Sequence, residues 1–265
     1  MDAGDRAYLE RILSCEGQLD RWRLRVQRIE HPERGSDLAG DDRAFPFHRV
    51  SEVARASLAI SGENLRMAID AIRRQNLYPS AHFTSLRSAL VGACQAVWIL
   101  APDDEATRTD RGLRVTDEMY VQSAKYHRAT QELAPDLTEA DLAALVDQLT
   151  WISGRRQQLA TARTSRSALN LTVDVIPSAA NIVYPDPRRR AEVSLLWRQM
   201  SSDAHVLGWS MFMRSEYGPT DCVSGLTELA AGGSPKSIAQ PFVASFEILR
   251  AGWSLYDRRC EGHEQ

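Results

Sequence analysis

HFTSLRSALVGACQAVWILAP, residues 82–102, contains the most apolar run of the chain, residues 89–102, and its apolar residues recur with a helical period. They fall on two faces of the predicted helix, Phe83-Leu86-Leu90-Ala93-Val97-Leu100 and Val91-Cys94-Trp98. A helix that is apolar on two faces is normally enclosed by other helices. Because proline cannot continue a helix, we expect a buried central helix that ends before Pro102.

The same helical period runs through most of the chain on both sides of this stretch. Further helices are predicted over residues 5–31, 50–76, 104–133, 138–164, 188–213 and 237–258. Thr138 and Asp141 form a capping pair that is typical of a helix start. Residues 215–235 are predicted to be a long loop, and long loops are commonly functional or mobile.

The predicted fold class is therefore all-α, a single-domain multi-helix bundle over residues 1–265. The bundle core is expected over residues 50–258. The N-terminal helix, within residues 1–33, is expected to pack on the bundle or to extend to a partner. No internal repeat or interdomain linker interrupts the pattern.

The composition excludes several classes of protein. The chain of 265 residues is 43% hydrophobic and 25% charged with a net charge of −3, so no global charge attracts it to nucleic acid. No apolar run approaches the roughly 18 residues of a membrane span, and the N-terminus has no secretory pattern. The four cysteines lack CxxC spacing and are expected to be reduced. We therefore expect a cytoplasmic protein that does not contact a membrane.

The familiar metal and cofactor motifs are also missing from the sequence. It contains no GxGxxG after a strand, no GxxxxGK[ST] phosphate loop, no GxSxG nucleophile elbow and no HExxH. The paired ExxH signals of a di-iron bundle are missing as well. The expectation is that the protein uses neither a metal nor a cofactor.

Arginines interrupt the helical pattern at two places. In RTDRGLR, residues 108–114, Arg108, Arg111 and Arg114 follow one another at helical spacing. They form either a phosphate-binding face or, as we favour, a solvated ridge that pairs with nearby acids, namely Asp103, Asp104 or Asp110. Arg87 lies inside the apolar central helix, where its guanidinium needs a carboxylate or a polar pocket. It is either structural or a substrate-binding residue.

LWRQMSSDAHVLGW, residues 196–209, contains an arginine and a histidine seven residues apart. In a continuous helix, Arg198 and His205 share a line along the axis, roughly 10 Å apart. This line lies off the apolar stripe of Val193, Leu196, Trp197, Met200, Ala204, Leu207 and Met211, and it is flanked by Ser201, Ser202, Trp209 and Phe212. A mixed polar and aromatic face of this kind suits a cleft or an interface.

This pair suits the cleavage of RNA. A histidine that titrates near neutrality can accept or donate the proton of a 2′-hydroxyl. An arginine can bind the phosphate with two hydrogen bonds and stabilise its developing charge. The alternative is structural: Arg198 pairs with Asp203 or Glu192, and His205 makes a polar contact in the core.

An arginine followed after six residues by a histidine resembles the Rx4-6H motif of the HEPN superfamily. The resemblance also includes residues 82–102 and 108–114, and it covers roughly residues 50–213. The sequence departs from the family pattern at Gln199, where Asn, Asp or His is usual, and at Val91, where glutamate is frequent. HEPN proteins are helical bundles that commonly form homodimers, and many are metal-independent ribonucleases of toxin–antitoxin or phage-defence systems.

The resemblance implies that Arg198 stabilises the phosphate and that His205 transfers the proton. Ser201, Ser202 and Arg87 are then candidates for substrate binding, and the partners are RNA, a second copy of the chain and a cognate antitoxin or regulatory protein. A second hypothesis is a non-enzymatic helical module whose same face binds a nucleotide, a protein or its own copy. A third is a small-ligand pocket within the bundle.

Overall fold

The computed structural model describes residues 3–133 and 137–262, and it confirms the predicted all-α class. Its helices are α1 (Ala3–Leu13), α2 (Glu16–Val26), α3 (Asp37–Asp41), α4 (Val50–Arg73), α5 (Ala81–Leu100), α6 (Glu105–Leu133), α7 (Glu139–Ala162), α8 (Ile176–Val183), α9 (Pro187–Ala204), α10 (Trp209–Arg214) and α11 (Pro235–Cys260). A short 3-10 helix (Asp42–Ala44) follows α3, and a π-helical turn (Leu171–Val175) precedes α8. Strands β1 (Glu216–Thr220) and β2 (Thr227–Ala230) form an antiparallel hairpin.

The chain divides into two compact units. Unit 1 comprises Met1–His31, Arg55–Trp98 and Leu171–Asp257, and unit 2 comprises Pro32–Ala54, Ile99–Asn170 and Arg258–Gln265. The expectation of a single domain over residues 1–265 stays a prediction.

The central helix α5 is buried, as its two apolar faces predict. Leu86, Leu90 and Ala93 are fully buried, and so are Cys94 and Val97. By length and composition α5 is the one helix among the described residues that could cross a membrane, and 72% of its apolar window is buried within the protein.

Small residues bring α5 close to α4 within unit 1. A Cβ atom added to Gly92 would lie 2.5 Å from the carbonyl oxygen of Ser57. One turn along α4, the buried hydroxyl of Ser61 donates a hydrogen bond to the carbonyl of Ala89 (2.7 Å). The Gln95 side-chain amide donates to the Ser57 hydroxyl (2.8 Å). The glycine is thus required by the approach of the two backbones.

One expectation for the N-terminal half was wrong. The predicted helix over residues 5–31 is broken into α1 and α2, because the side chains of Ser14 and Cys15 both turn back to the Arg11 carbonyl. The Arg55 guanidinium donates hydrogen bonds to the carbonyls of Arg25, in the last turn of α2, and Arg28, just beyond it. In α4, Leu58, Leu65, Ile69 and Ile72 are buried, whereas Ile60 and Met67 are exposed.

Two further expectations have opposite outcomes. The capping pair is confirmed, because the Thr138 hydroxyl accepts from the Asp141 amide and the Asp141 carboxylate accepts from the Thr138 amide. The predicted loop over residues 215–235 was wrong in its central part, which is the β1–β2 hairpin. All residues of both strands are exposed, so the hairpin carries no buried alternation that a sequence pattern could show.

We predict that Gly92→Ala lowers the free energy of unfolding by roughly 1–3 kcal/mol, because its methyl group meets the Ser57 carbonyl. Gly154→Ala on α7 is the matched control, since nothing lies within 4 Å of the added Cβ. There the better helix propensity of alanine should raise the free energy of unfolding by about 0.5–1 kcal/mol. Urea denaturation followed by circular dichroism measures both changes, and equal effects of the two substitutions would contradict the close packing.

Candidate functional site

The helix that carries the Arg198–His205 pair ends earlier than the sequence predicts. Helix α9 stops at Ala204, and His205 is its C-cap. The Leu207 amide donates to the Ser202 carbonyl (3.0 Å), and the Val206 amide donates to the Asp203 carbonyl (3.1 Å). This pair of bonds is the Schellman motif. His205 is therefore at the point where the chain leaves the helix, not within a continuous helix to residue 213.

Val206 occupies the position of this motif that usually holds glycine. Its φ angle is +57°, in the left-handed region that strongly disfavours β-branched residues. The side chain is 90% exposed, so burial does not compensate for the conformation. Strain of this kind, of order 1–3 kcal/mol, is often found beside functional sites. Here it directly follows the candidate proton-transfer residue.

A buried carboxylate fixes the chain after this turn. Asp203 accepts a hydrogen bond from the Ser210 hydroxyl (2.9 Å) and another from Nη2 of Arg214 (2.6 Å). Both partners belong to α10, and the Asp203 side chain is fully buried. Asp203 therefore ties α10 to the end of α9, and it does not pair with Arg198.

Arg198 and His205 are both exposed and line one groove in unit 1, with a cavity volume of about 650 Å³. Among the residues that the structure describes, neither side chain has a hydrogen-bond or ion-pair partner. The carboxylate of Glu192 pairs with Arg189 (2.8 Å) and Arg188 (3.6 Å) instead. The structural alternative, in which Asp203 or Glu192 holds Arg198 and His205 contacts the core, was wrong. The catalytic roles of the two residues stay predictions.

The groove also contains Arg87, whose half-buried guanidinium contacts a hydroxyl and an aromatic ring and no carboxylate of the described residues. Its Nε donates a hydrogen bond to the Ser201 hydroxyl (3.1 Å). Its guanidinium carbon lies 4.6 Å from the centre of the Trp197 ring. Burial lowers the pKa of Arg87, and no acidic side chain in the described part of the chain neutralises it. The groove therefore contains two arginines, Arg87 and Arg198, without acidic partners.

Ser202 adds an unsatisfied hydroxyl to the same groove. The residue is only 2% exposed, and its Oγ has no hydrogen-bond partner within the described chain. A buried polar atom without a partner carries a free-energy cost of about 1–3 kcal/mol, which a bound ligand atom can relieve. All five residues predicted for the site, Arg87, Arg198, Ser201, Ser202 and His205, thus line one groove.

The remaining lining is polar or apolar but not acidic: Thr172, Leu195, Trp197, Gln199, Leu207, Trp209 and Met213. Trp209 reaches the groove from α10, whereas Phe212, predicted on the same face, does not line it. Thr172 was missed by the sequence reasoning; it accepts a hydrogen bond from Nε1 of Trp197 (3.2 Å). No group of three His, Cys, Asp or Glu side chains that could hold a metal is found in residues 3–133 and 137–262.

The arginines of residues 108–114 lie in unit 2, and Arg108 is not part of the predicted solvated ridge. Arg108 is buried, and its Nε donates to the fully buried carboxylate of Asp41 (2.8 Å). Its Nη1 donates to the carbonyls of Pro102 and Asp103. Arg114 donates to the Ala168 carbonyl (2.9 Å). The saturation of Arg108 also rules out a phosphate-binding role for it, because all of these contacts are internal.

Comparison of the chain with protein-family models, with curated proteins and with solved structures finds no match. The resemblance to the HEPN superfamily therefore stays a prediction that rests on the motif residues quoted above.

We predict that Val206→Gly raises the free energy of unfolding by about 0.5–1 kcal/mol, because relief of the left-handed strain exceeds the entropic cost of glycine. Val223 is the matched control, since it is equally exposed and has no positive φ. Val223→Gly should have no effect or lower the stability. Thermal unfolding by calorimetry gives both values, and a loss of stability in Val206→Gly would exclude the strained turn.

Proposed function

We propose that the chain is a HEPN-like, metal-independent endoribonuclease and that the groove around Arg198 and His205 is its active site. One observation carries the proposal: the groove holds an arginine and a histidine that are both exposed and both without a protein partner in the described residues. An arginine usually finds an acid at little cost, and the two nearest in sequence, Glu192 and Asp203, are engaged elsewhere. This leaves the cation available to an anionic ligand.

The lining suits a ribonucleotide chain. Arg198 can bind the non-bridging oxygens of a phosphodiester with two parallel hydrogen bonds. Arg87 supplies a second charge from a half-buried position, where electrostatic interactions are screened less than in open solvent. The Ser202 hydroxyl can donate to a phosphate or ribose oxygen, and the exposed face of Trp209 can stack on a base.

The chemistry is a transesterification. The 2′-oxygen attacks phosphorus, the bond from phosphorus to the 5′-oxygen breaks, and the products carry a 2′,3′-cyclic phosphate and a 5′-hydroxyl. The 2′-hydroxyl loses one proton and the leaving oxygen gains one. His205 performs one of these transfers, and water or a second copy of the chain performs the other. Arg198 stabilises the negative charge that builds on the phosphorane oxygens.

The HEPN resemblance supports a setting for this activity. In this proposed role, the enzyme is a cytoplasmic homodimer that cleaves cellular or phage RNA, and a cognate antitoxin or regulatory protein inhibits it. Expression of the active protein should then arrest the growth of a bacterial host.

The test is incubation of purified protein with total RNA in the presence of EDTA. We expect cleavage by the unmodified chain, and we expect Arg198→Ala and His205→Ala each to lower the rate by about 100-fold or more. Arg188→Ala and His31→Ala are the matched controls, because both residues are exposed and lie outside the groove lining. They should cleave at the unmodified rate.

End-group analysis of the fragments should find 2′,3′-cyclic phosphates. Equal rates in all five proteins, no cleavage in any of them, or cleavage abolished by EDTA would each overturn the proposal.

A second candidate function, a binding or dimerisation module, is favoured by a different observation. Apolar side chains in and beside the groove are strongly exposed, among them Val206 (90%), Met213 (73%) and Leu207 (64%). Exposed apolar residues that cluster in this way commonly mark an interface. Here the same face would bind a second copy or a protein partner without any chemistry.

This candidate predicts that Leu207→Asp together with Met213→Asp lowers the molar mass measured by light scattering to that of a monomer. The matched control is Ile60→Asp together with Met67→Asp, which places the same charges on exposed apolar positions of α4. A monomeric unmodified protein, or dissociation caused by both double variants, would remove the support for an interface beside the groove.

A further inference from the structure

Unit 1 contains a second cavity of about 650 Å³. Met213 is the one residue that lines both this cavity and the groove. Helices α1, α9, α10 and α11 contribute to it. Four basic side chains line it, and no acidic side chain does: Arg11, Arg189, Arg214 and Lys236. The remaining lining combines hydroxyl and amide groups with apolar side chains, namely Tyr8, Met213, Ser234, Ser237, Ala239, Gln240 and Val243.

Arg214 is the most firmly positioned of these cations. Its Nη2 donates to Asp203 (2.6 Å) and to the Pro79 carbonyl (3.1 Å), and its guanidinium carbon lies 3.7 Å from the centre of the Phe83 ring. The side chain is 12% exposed, and Nη1 is buried without a hydrogen-bond partner in the described chain. A guanidinium that is held on one side and unsatisfied on the other needs an acceptor, and a ligand in the cavity can supply it.

Lys236 adds a cation at the start of α11. Pro235 is the first residue of that 26-residue helix, and the Ser234 hydroxyl accepts from the Ser237 amide (3.1 Å). Lys236 is exposed, and its ammonium group makes no hydrogen bond or ion pair within the described residues. The positive end of the helix dipole adds to this charge.

The acids around the cavity neutralise only part of these charges, because three carboxylates face the four cations. Glu247 lies 3.7 Å from Arg11 and 3.6 Å from Arg189, so two cations share one carboxylate. Glu192 pairs with Arg189 (2.8 Å). Asp203 faces Arg214, and Lys236 has no acidic partner in the described chain. The surroundings therefore keep a net positive charge, which selects for anions.

We propose that this cavity binds a phosphorylated small molecule, with its phosphate between Arg214 and Lys236. A phosphate oxygen would accept the hydrogen bond that Nη1 of Arg214 lacks, and the ammonium of Lys236 would pair with the remaining charge. A volume of about 650 Å³ lies within the range of small-molecule sites. Tyr8, Met213 and Val243 supply the apolar surface for the organic part of the ligand. The proposal is independent of ribonuclease activity in the groove.

The chain offers a selective probe, because Lys236 and Lys125 are its only lysines. Pyridoxal 5′-phosphate forms an imine with a lysine amine, with loss of water, and borohydride reduces the imine to a stable adduct that mass spectrometry locates. We expect Lys236 to be labelled about tenfold faster than Lys125. The cavity binds the phosphate of the reagent and so keeps the reagent's aldehyde beside the Lys236 amine. Lys125, exposed on α6 without a partner in the described residues, is the internal control.

Pyrophosphate should suppress the labelling of Lys236 and leave that of Lys125 unchanged, and the protection should persist in Arg198→Ala, whose groove has lost a cation. Lys236→Ala should also abolish the thermal stabilisation that pyrophosphate gives to the unmodified chain, whereas Lys125→Ala should retain it. Equal labelling of both lysines, or no protection by pyrophosphate, would overturn the proposal. Protection by a single-stranded RNA oligonucleotide alone would assign the cavity to RNA and also overturn it.

Discussion

Helix α5 constrains unit 1, because both of its faces are apolar and both must be covered. Burial of apolar surface is worth about 25 cal/mol per Å², and a helix of this composition loses that contribution wherever a neighbour is missing. The cover is close enough that Gly92 has no room for a side chain beside Ser57. Arg87 is the one charge in the helix, and its guanidinium emerges beside Ser201 and Trp197. The packing of α5 thus delivers a cation to the groove.

The distribution of carboxylates explains why the groove is cationic in a chain with a net charge of −3. Both acids within α9 are held by arginines outside the groove: Glu192 by Arg188 and Arg189, and Asp203 by Arg214. Because these pairs are satisfied, Arg198 and Arg87 face solvent and the groove without compensation. The local charge of a site is set by which pairs form, and the global balance says little about it.

The backbone conformation at the end of α9 determines where His205 and Trp209 lie in the groove. The buried Asp203 ties α10 back to the helix, so the chain has to reverse over a few residues, and Val206 adopts a left-handed conformation to do so. His205 immediately precedes the reversal and is exposed. A continuous helix through residue 213 would place Trp209 on the line of Arg198. In the structure Trp209 reaches the groove from the next helix.

The sequence was sufficient for some parts of the site and misleading for others. The spacing of Arg198 and His205, off the apolar stripe, correctly placed both on an accessible face. The spacing of Arg108, Arg111 and Arg114 was read in the same way, and the expectation for Arg108 was wrong. The difference lies in Asp41, which is remote in sequence and lies between the predicted helices over residues 5–31 and 50–76. Local periodicity carries no information about such a partner.

The sequence by itself determined the all-α class, the burial of α5 and the capping of α7. These follow from hydrophobic period and capping chemistry, which act within a few turns of one helix. The tertiary structure alone decided which arginines are neutralised, where α9 ends, and that Arg11, Arg189, Arg214 and Lys236 line a second cavity. Those outcomes depend on ion pairs between residues far apart in the chain and on backbone reversals. Such contacts form, and contribute free energy, only when the helices pack together.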